Sequence, residues 1–263
     1  MSTATTKALI ERSLGATLRK DSWWIAPALT AVGLGAFGIY ATWAAWAGQH
    51  FEWGPYISPF YSPLLRFDWW PFSPAFLILG APLGFRITCY YYRKAYYRAF
   101  FLDPVACGVG EARHDYQGEN GIFIFQNIHR FFLYLGILLI FILGYDAIEA
   151  MIWPVSGVLP SGEMASGPKE LGIGVGTLVM ALNVLLLAGY TFGCHSFRHL
   201  VGGKVDCFSC ARLGQARYNA WRGVSFLNRS HMQWAWTSLF WVALTDLYIR
   251  LCAMGVITDV RLL

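Results

Sequence analysis

The stretch FFLYLGILLIFILGYDAIEAMIW, residues 131–153, decides the fold class of this chain. A helix needs about 20 predominantly apolar residues to cross a hydrocarbon layer of roughly 30 Å, and the only charged residues in this run are Asp146 and Glu149. Similar runs recur along the 263 residues, of which 56% are hydrophobic and 13% charged. We therefore predict an all-α integral membrane protein, a five-transmembrane-helix bundle with spans near residues 23–46, 72–92, 131–153, 171–193 and 232–255.

Positive charge predicts the orientation of these spans. Sixteen of the 20 lysines and arginines fall in the N-terminal arm, toward the end of span two or in the connections that follow spans two and four. Because cytoplasmic loops carry this excess, we expect a cytoplasmic N-terminus, an outside C-terminus and a location in the cell membrane. Residues 1–22 form a predicted cytoplasmic arm or interfacial helix, and residues 23–263 the anchor domain. The net charge of +5 then reflects topology and contact with anionic membrane lipid, with no nucleic-acid partner.

Cysteines and histidines gather on one side of this predicted bundle. Five of the six cysteines and five of the six histidines lie in or beside the cytoplasmic segments, and only Cys252 and His50 lie elsewhere. Core residues without a shared role would be scattered over both sides, so the asymmetry predicts a metal or redox site at the inner helix ends. The candidate ligands at those helix ends are Cys89, His129, Cys194, His195, His199 and His231.

Two spacings add to this prediction. His195 and His199 are four residues apart, which puts both on one helical face if the fourth helix continues through them. Cys207 and Cys210 form a CxxC pair in a polar loop, and they are the alternate pair of thiolates.

The mixture of thiols and imidazoles favours a Rieske-type [2Fe-2S] centre, in which two thiolates hold one iron and two imidazoles hold the other. Cys89 and Cys194 are the preferred thiolates. A single haem b, with His129 and either His199 or His231 as axial ligands, is the alternative. A small membrane transporter with a structural metal site such as zinc is the alternative from another class.

Other polar residues within the spans have simpler interpretations. The run of tyrosines and arginines at residues 89–101 is typical of an aromatic belt at the membrane interface. The alternative is that one Tyr or Arg of this run also contacts a quinone. Asp246 lies one helical turn before Arg250, so we predict a salt bridge. Asp146 and Glu149 lie toward the outer half of the third span, where they could carry protons to or from an outer quinone position.

Three segments carry a resemblance to a known family: CYYYRKAYYR at residues 89–98, QNIHR at 126–130 and GCHSFRHLVG at 193–202. With the five-span layout, they resemble the actinobacterial membrane-anchor subunit of succinate dehydrogenase over essentially the whole chain. The resemblance implies a complex in which a flavoprotein oxidises succinate and an iron-sulfur subunit docks on the inner face of this anchor. Electrons would pass to menaquinone or another quinone, and the anchor alone would have no activity.

The resemblance also implies a quinone pocket where the iron-sulfur subunit meets the inner helix ends. A quinone carbonyl needs a hydrogen-bond donor and its ring needs an aromatic wall, so we expect His231, Gln233, Trp234 and Arg130 to line this pocket. Family members more commonly carry haem b, which keeps that alternative open. The complex could also form an oligomer.

Overall fold

The computed structural model describes residues 20–102, 125–159, 161–203 and 205–263. Within those residues the chain forms eight α-helices, a π-helical turn and two short β-hairpins. The helices are α1 (Ile25–Ala47), α2 (Ala75–Thr88), α3 (Tyr90–Phe100), α4 (Phe125–Glu149), α5 (Val175–Phe192), α6 (His195–Arg198), α7 (Gly214–Arg229) and α8 (His231–Ala253), with the π-helical turn at His199–Gly203. The predicted arm at residues 1–19, Cys107 and His114 lie outside the described residues.

Each of the five predicted spans contains a helix, but the helices differ in length and polarity. Within the described ranges, three segments are long and apolar enough to cross a bilayer: Ile25–Ala47, Asn127–Glu149 and Val175–Phe192. Helix α2 has 14 residues, which corresponds to about 21 Å of helix against a hydrocarbon layer of roughly 30 Å. Helix α8 has 23 residues but includes charged side chains. The chain is thus a mostly helical membrane protein, and the five-span count and the orientation of its termini stay predictions.

Two antiparallel hairpins form in the connections between span helices. Strand β1 (Glu52–Trp53) pairs with β2 (Tyr56–Ile57), and β3 (Ile152–Pro154) pairs with β4 (Lys169–Leu171). Helix α4, which corresponds to the third predicted span, therefore ends at Glu149 rather than at residue 153, because residues 152–154 pair with β4. The rings of Trp53 and Trp153 contact each other, so both hairpins lie at one end of the bundle. We call this the hairpin end, and the end with Cys89 and Cys194 the cysteine end.

The predicted salt bridge between Asp246 and Arg250 is confirmed, and it is buried. Arg250 Nε donates to Asp246 Oδ2 over 2.7 Å, and the two residues are 1% and 0% exposed, respectively. Arg250 also donates to the carbonyl oxygen of Ala44, while Asp246 accepts hydrogen bonds from the hydroxyls of Tyr40 and Ser58. The network ties α8 to α1 and keeps both charges of α8 away from lipid.

Asp146 and Glu149 lie close to the hairpin end of α4. Ser62 donates a hydrogen bond to Asp146, and the hydroxyl of Tyr145 interacts with Glu149. Both carboxylates thus have a hydrogen-bonding partner nearby, and their role in proton transfer stays a prediction.

Helices α3 and α7 occupy the two long connections at the cysteine end. Tyr90 and Phe100 of α3 are exposed, as an aromatic belt would be, but Tyr92 is only 3% exposed and packs inside the bundle. Helix α7 is attached to the end of α5, since the side-chain amide of Asn228 donates to the carbonyl oxygen of Gly193 over 2.7 Å. Both connections thus hold ordered helices beside the helix ends that carry the candidate ligands.

Candidate functional site

Each of the two buried cysteines at the cysteine end occupies a break between two helices. Cys89 separates α2 from α3 with extended backbone (φ −61°, ψ 132°), and Cys194 separates α5 from α6 in a similar conformation (φ −65°, ψ 143°). Each residue immediately precedes the first turn of the following helix. The prediction that His195 and His199 share one face of the fourth span helix required that helix to continue through both residues. Helix α5 instead ends before Cys194, and a new helix begins at His195.

Two cysteines and two histidines meet between these breaks. His129 Nε2 lies 3.0 Å from Cys194 Sγ, and His231 Nε2 lies 3.6 Å from Cys89 Sγ. The two pairs are neighbours, because Cys89 and Cys194 belong to the same buried core cluster. Both cysteines and His129 are at most 4% exposed. We call these four residues the Cys/His quartet.

Contacts from α2 orient His129 within the quartet. Thr88 Oγ1 donates to the carbonyl oxygen of Gly84 over 2.7 Å and lies 2.9 Å from His129 Nδ1. Because the hydroxyl has one proton, His129 Nδ1–H is the donor to Thr88, which leaves the lone pair of Nε2 facing Cys194. Phe85 stacks on the imidazole with the ring centroids 4.7 Å apart. Metal-bound histidines are commonly held through their other nitrogen in this way.

His231, the first residue of α8, has fewer partners. Tyr190 stacks on its ring with the centroids 5.0 Å apart, and its Nε2 faces Cys89. Its Nδ1 is buried and has no hydrogen-bond partner among the described residues. Coordination to a metal centre is one way in which such a buried imidazole nitrogen gains a partner.

The other predicted ligands lie apart from the quartet. His195 is exposed on α6, and His199 is half-buried in the π-helical turn. Cys207 and Cys210 are exposed and joined by a disulfide, in which neither sulfur is a free thiolate. Across the described residues, no group of three or more His, Cys, Asp or Glu side chains is arranged to hold a single metal ion.

A cavity of about 610 Å³ begins next to the quartet. Helices α1, α2 and α4 supply most of its wall, which reaches from Phe100 on α3 to Pro59 near the hairpin end. Phe85 and Tyr190, the rings that stack on the two histidines of the quartet, both line it. Its volume falls in the range of about 300–1,000 Å³ that is typical of small-molecule sites.

Polar groups lie at the cysteine end of this cavity. The guanidinium of Arg86 is 4.6 Å from the ring centroid of Tyr190 and donates to the Tyr92 hydroxyl over 2.5 Å, while Tyr92 donates to the carbonyl oxygen of Ala235 over 2.7 Å. The Tyr190 hydroxyl is buried and has no hydrogen-bond partner among the residues that the structure describes. Within the described part of the chain, no carboxylate forms a salt bridge with Arg86. Arg86 therefore brings to this end of the cavity a positive charge that no carboxylate of the described residues neutralises, and the ring of Tyr190 forms part of the wall there.

The four residues predicted to contact a quinone are spread over the cysteine end. His231 belongs to the quartet, and Trp234 packs against the adjacent core with its indole nitrogen unpartnered among the described residues. Arg130 and Gln233 are exposed. None of the four is among the described residues that line the cavity.

Sequence reasoning overlooked Arg86 and Tyr190 at the cysteine end of the cavity, and it included Tyr92 only as one member of the aromatic run. The charge count treats Arg86 only as an indicator of topology, although a cation inside a predicted span is itself a functional signal. The belt interpretation is wrong for Tyr92, which is buried. Nothing in the sequence distinguishes Tyr190 from other aromatic residues of the spans.

The chain is similar to a known family and to a solved complex. A family model that matches residues 25–255 is described as the actinobacterial succinate dehydrogenase subunit SdhC. A chain of the Mycobacterium smegmatis Sdh1 complex in the apo form is 41% identical and superimposes with a TM-score of 0.77, and the match covers 94% of each chain. No curated protein matches the chain.

Proposed function

The chain belongs to the SdhC family of actinobacterial succinate dehydrogenase subunits, and we propose that it passes electrons from an iron-sulfur subunit to a quinone through the Cys/His quartet. It is a subunit of a quinone-reducing enzyme of the plasma membrane. Succinate is oxidised by the flavoprotein partner, so we expect no activity from the chain alone. Membership of this family excludes the small transporter that was the alternative from another class.

The quartet has the donor set of a Rieske-type [2Fe-2S] centre. Each iron of such a cluster needs only two protein ligands, two thiolates on one and two imidazoles on the other, so no three residues have to surround a single metal ion. Cys89, Cys194, His129 and His231 would hold it, and the Thr88 contact would keep His129 in place. Bound there, the cluster would supply a one-electron carrier whose potential is raised by its imidazole ligands.

A single haem b fits these residues less well. Two axial imidazole nitrogens would have to point at one iron from opposite faces of a planar macrocycle. His129 and His231 instead direct Nε2 at different cysteines, and Phe85 and Tyr190 stack on their rings. His199, the other predicted axial ligand, lies in the π-helical turn and outside the quartet.

We assign the quinone headgroup to the polar end of the cavity. Arg86 could donate a hydrogen bond to a quinone carbonyl, the ring of Tyr190 would form an aromatic wall, and Tyr92 would hold the guanidinium in position. Because Tyr190 stacks on His231, a headgroup in contact with Tyr190 would be one side chain away from the quartet. The exposed residues Arg130 and Gln233 would instead form a site on the surface that faces the iron-sulfur subunit.

The cysteine end is the proposed cytoplasmic face, on which the flavoprotein and iron-sulfur subunits dock. Helices α3 and α7 present arginines and exposed aromatic residues such as Tyr90 and Phe226 there, which suits contact with both a protein partner and membrane lipid. We propose that α8 also spans the membrane, because the buried Asp246–Arg250 pair lowers its hydropathy without exposing charge. An oligomer of the complex stays a prediction.

Purification of the whole complex through a tag on this chain tests the proposed function. We expect two soluble subunits to copurify, and succinate to drive the reduction of added menaquinone. Reduction of a soluble dye by succinate monitors the soluble subunits independently. A complex that reduces the dye but not menaquinone would contradict the proposal.

Replacing Arg86 with glutamine is expected to raise the KM for menaquinone about 10- to 100-fold, because a hydrogen bond from a charged donor contributes about 1.5–3 kcal/mol. Gln233→Ala, at an exposed position of the same end of the bundle, is the matched control and should leave KM unchanged. Steady-state kinetics with menaquinone measures both variants. A raised KM in Gln233→Ala alone would move the headgroup to the surface site.

A further inference from the structure

The cavity extends far beyond the polar end to which the headgroup is assigned. Its lining positions on α2 run from Phe76 to Ile87, which is about 16 Å along the helix at 1.5 Å per residue. Beyond Arg86, Tyr92 and Tyr190 the wall is mostly apolar, formed by aliphatic and aromatic residues of α1, α2 and α4. A matching ligand therefore combines a polar head with a long apolar chain.

Two glycines leave open space along this apolar part. Gly38 on α1 and Gly80 on α2 both line the cavity, and a Cβ atom at either position would meet no atom within 4 Å. The cavity also reaches the lipid-facing surface, since the lining residues Leu83 and Ile87 are 57% and 42% exposed. An apolar ligand could enter sideways from the bilayer without crossing water.

We propose that this cavity holds the isoprenoid tail of the quinone, and that the space beside Gly38 and Gly80 makes the enzyme selective for long-tailed quinones. The inference rests on the proposed function, because the headgroup at Arg86 and Tyr190 defines where the tail begins. Continuity of the cavity from that polar end supports a quinone tail as the occupant.

Filling the cavity at Gly38 tests the proposal in the purified complex. Gly38→Phe, and independently Gly80→Phe, are expected to raise the KM for a menaquinone with a long polyisoprenyl tail at least about tenfold, because the displaced tail loses its buried apolar contacts. The KM for an analogue with a single isoprene unit should stay at the wild-type value. The readout is the ratio of the two KM values, which a general loss of folded enzyme would not change.

Gly35 provides the matched control on the same helix. A Cβ atom at Gly35 also meets no atom within 4 Å, but this residue does not line the cavity, so Gly35→Phe should leave both KM values unchanged. Unchanged long-tail kinetics in both cavity variants would overturn the inference and favour a lipid acyl chain as the occupant. An equal rise for both tail lengths would also overturn it, because the substitutions would then act on the headgroup site. Failure of the wild-type complex to reduce either quinone would overturn the proposed function itself.

Discussion

Replacing Cys194 with alanine is expected to abolish the EPR signal of a His-ligated [2Fe-2S] centre and to lower succinate-dependent quinone reduction at least about 100-fold. The substitution removes one of the two thiolates in the quartet, and His129 Nε2, 3.0 Å away, loses its neighbour. Low-temperature EPR and iron analysis of the reduced complex measure the effect, after the signals of the dissociated soluble subunits are subtracted. Dye reduction by succinate should persist, because it requires only the soluble subunits.

Cys252→Ala is the matched control for this experiment. Cys252 is a free thiol, 2% exposed like Cys194, but it lies near the hairpin end of α8. We expect its complex to keep the iron content and the EPR signal of the wild type. An unchanged signal in Cys194→Ala would rule out the quartet as the ligand set, and a sharp Soret band in the wild-type complex would reassign the site to haem b.

The members of the quartet could be identified as candidates from the sequence because all four lie close to predicted span ends. Hydropathy locates those ends within a few residues, and the distribution of lysine and arginine indicates which ends share a side of the membrane. The choice among the histidines could not be predicted. It depends on the breaks at Cys89 and Cys194, where extended backbone starts a new helix and leaves His195 exposed.

Hydropathy also gives an incomplete account of the span helices themselves. Helix α2 is shorter than its predicted span because Cys89 ends it and α3 begins at Tyr90. Helix α8 has the expected length, but the buried charges of Asp246 and Arg250 reduce its hydropathy. Residue spacing could predict that these two charges pair. The burial of the pair against α1 depends on tertiary packing that periodicity does not encode.

Replacing Arg250 with leucine is expected to destabilise the protein by about 3–5 kcal/mol, because the substitution leaves the Asp246 carboxylate as an uncompensated buried charge. Arg250 also satisfies the carbonyl oxygens of Ala44 and Gln49, which would lose their donor. For a domain of this size the loss corresponds to a fall in Tm of roughly 6–20 °C. Thermal denaturation of the detergent-solubilised complex, followed by the loss of this chain from the soluble assembly, measures the shift.

Two further variants separate burial of charge from the loss of the arginine side chain. Arg261→Leu breaks a 2.7 Å ion pair with Glu170 that is partly exposed, so it should cost only about 0–1 kcal/mol. The double variant Asp246→Leu/Arg250→Leu removes both buried charges, and we expect it to be more stable than Arg250→Leu alone. A double variant as unstable as the single one would mean that packing and carbonyl contacts, rather than the unpaired carboxylate, hold α8 against α1. A recovery in the double variant would show that α8 tolerates its two charges because each neutralises the other.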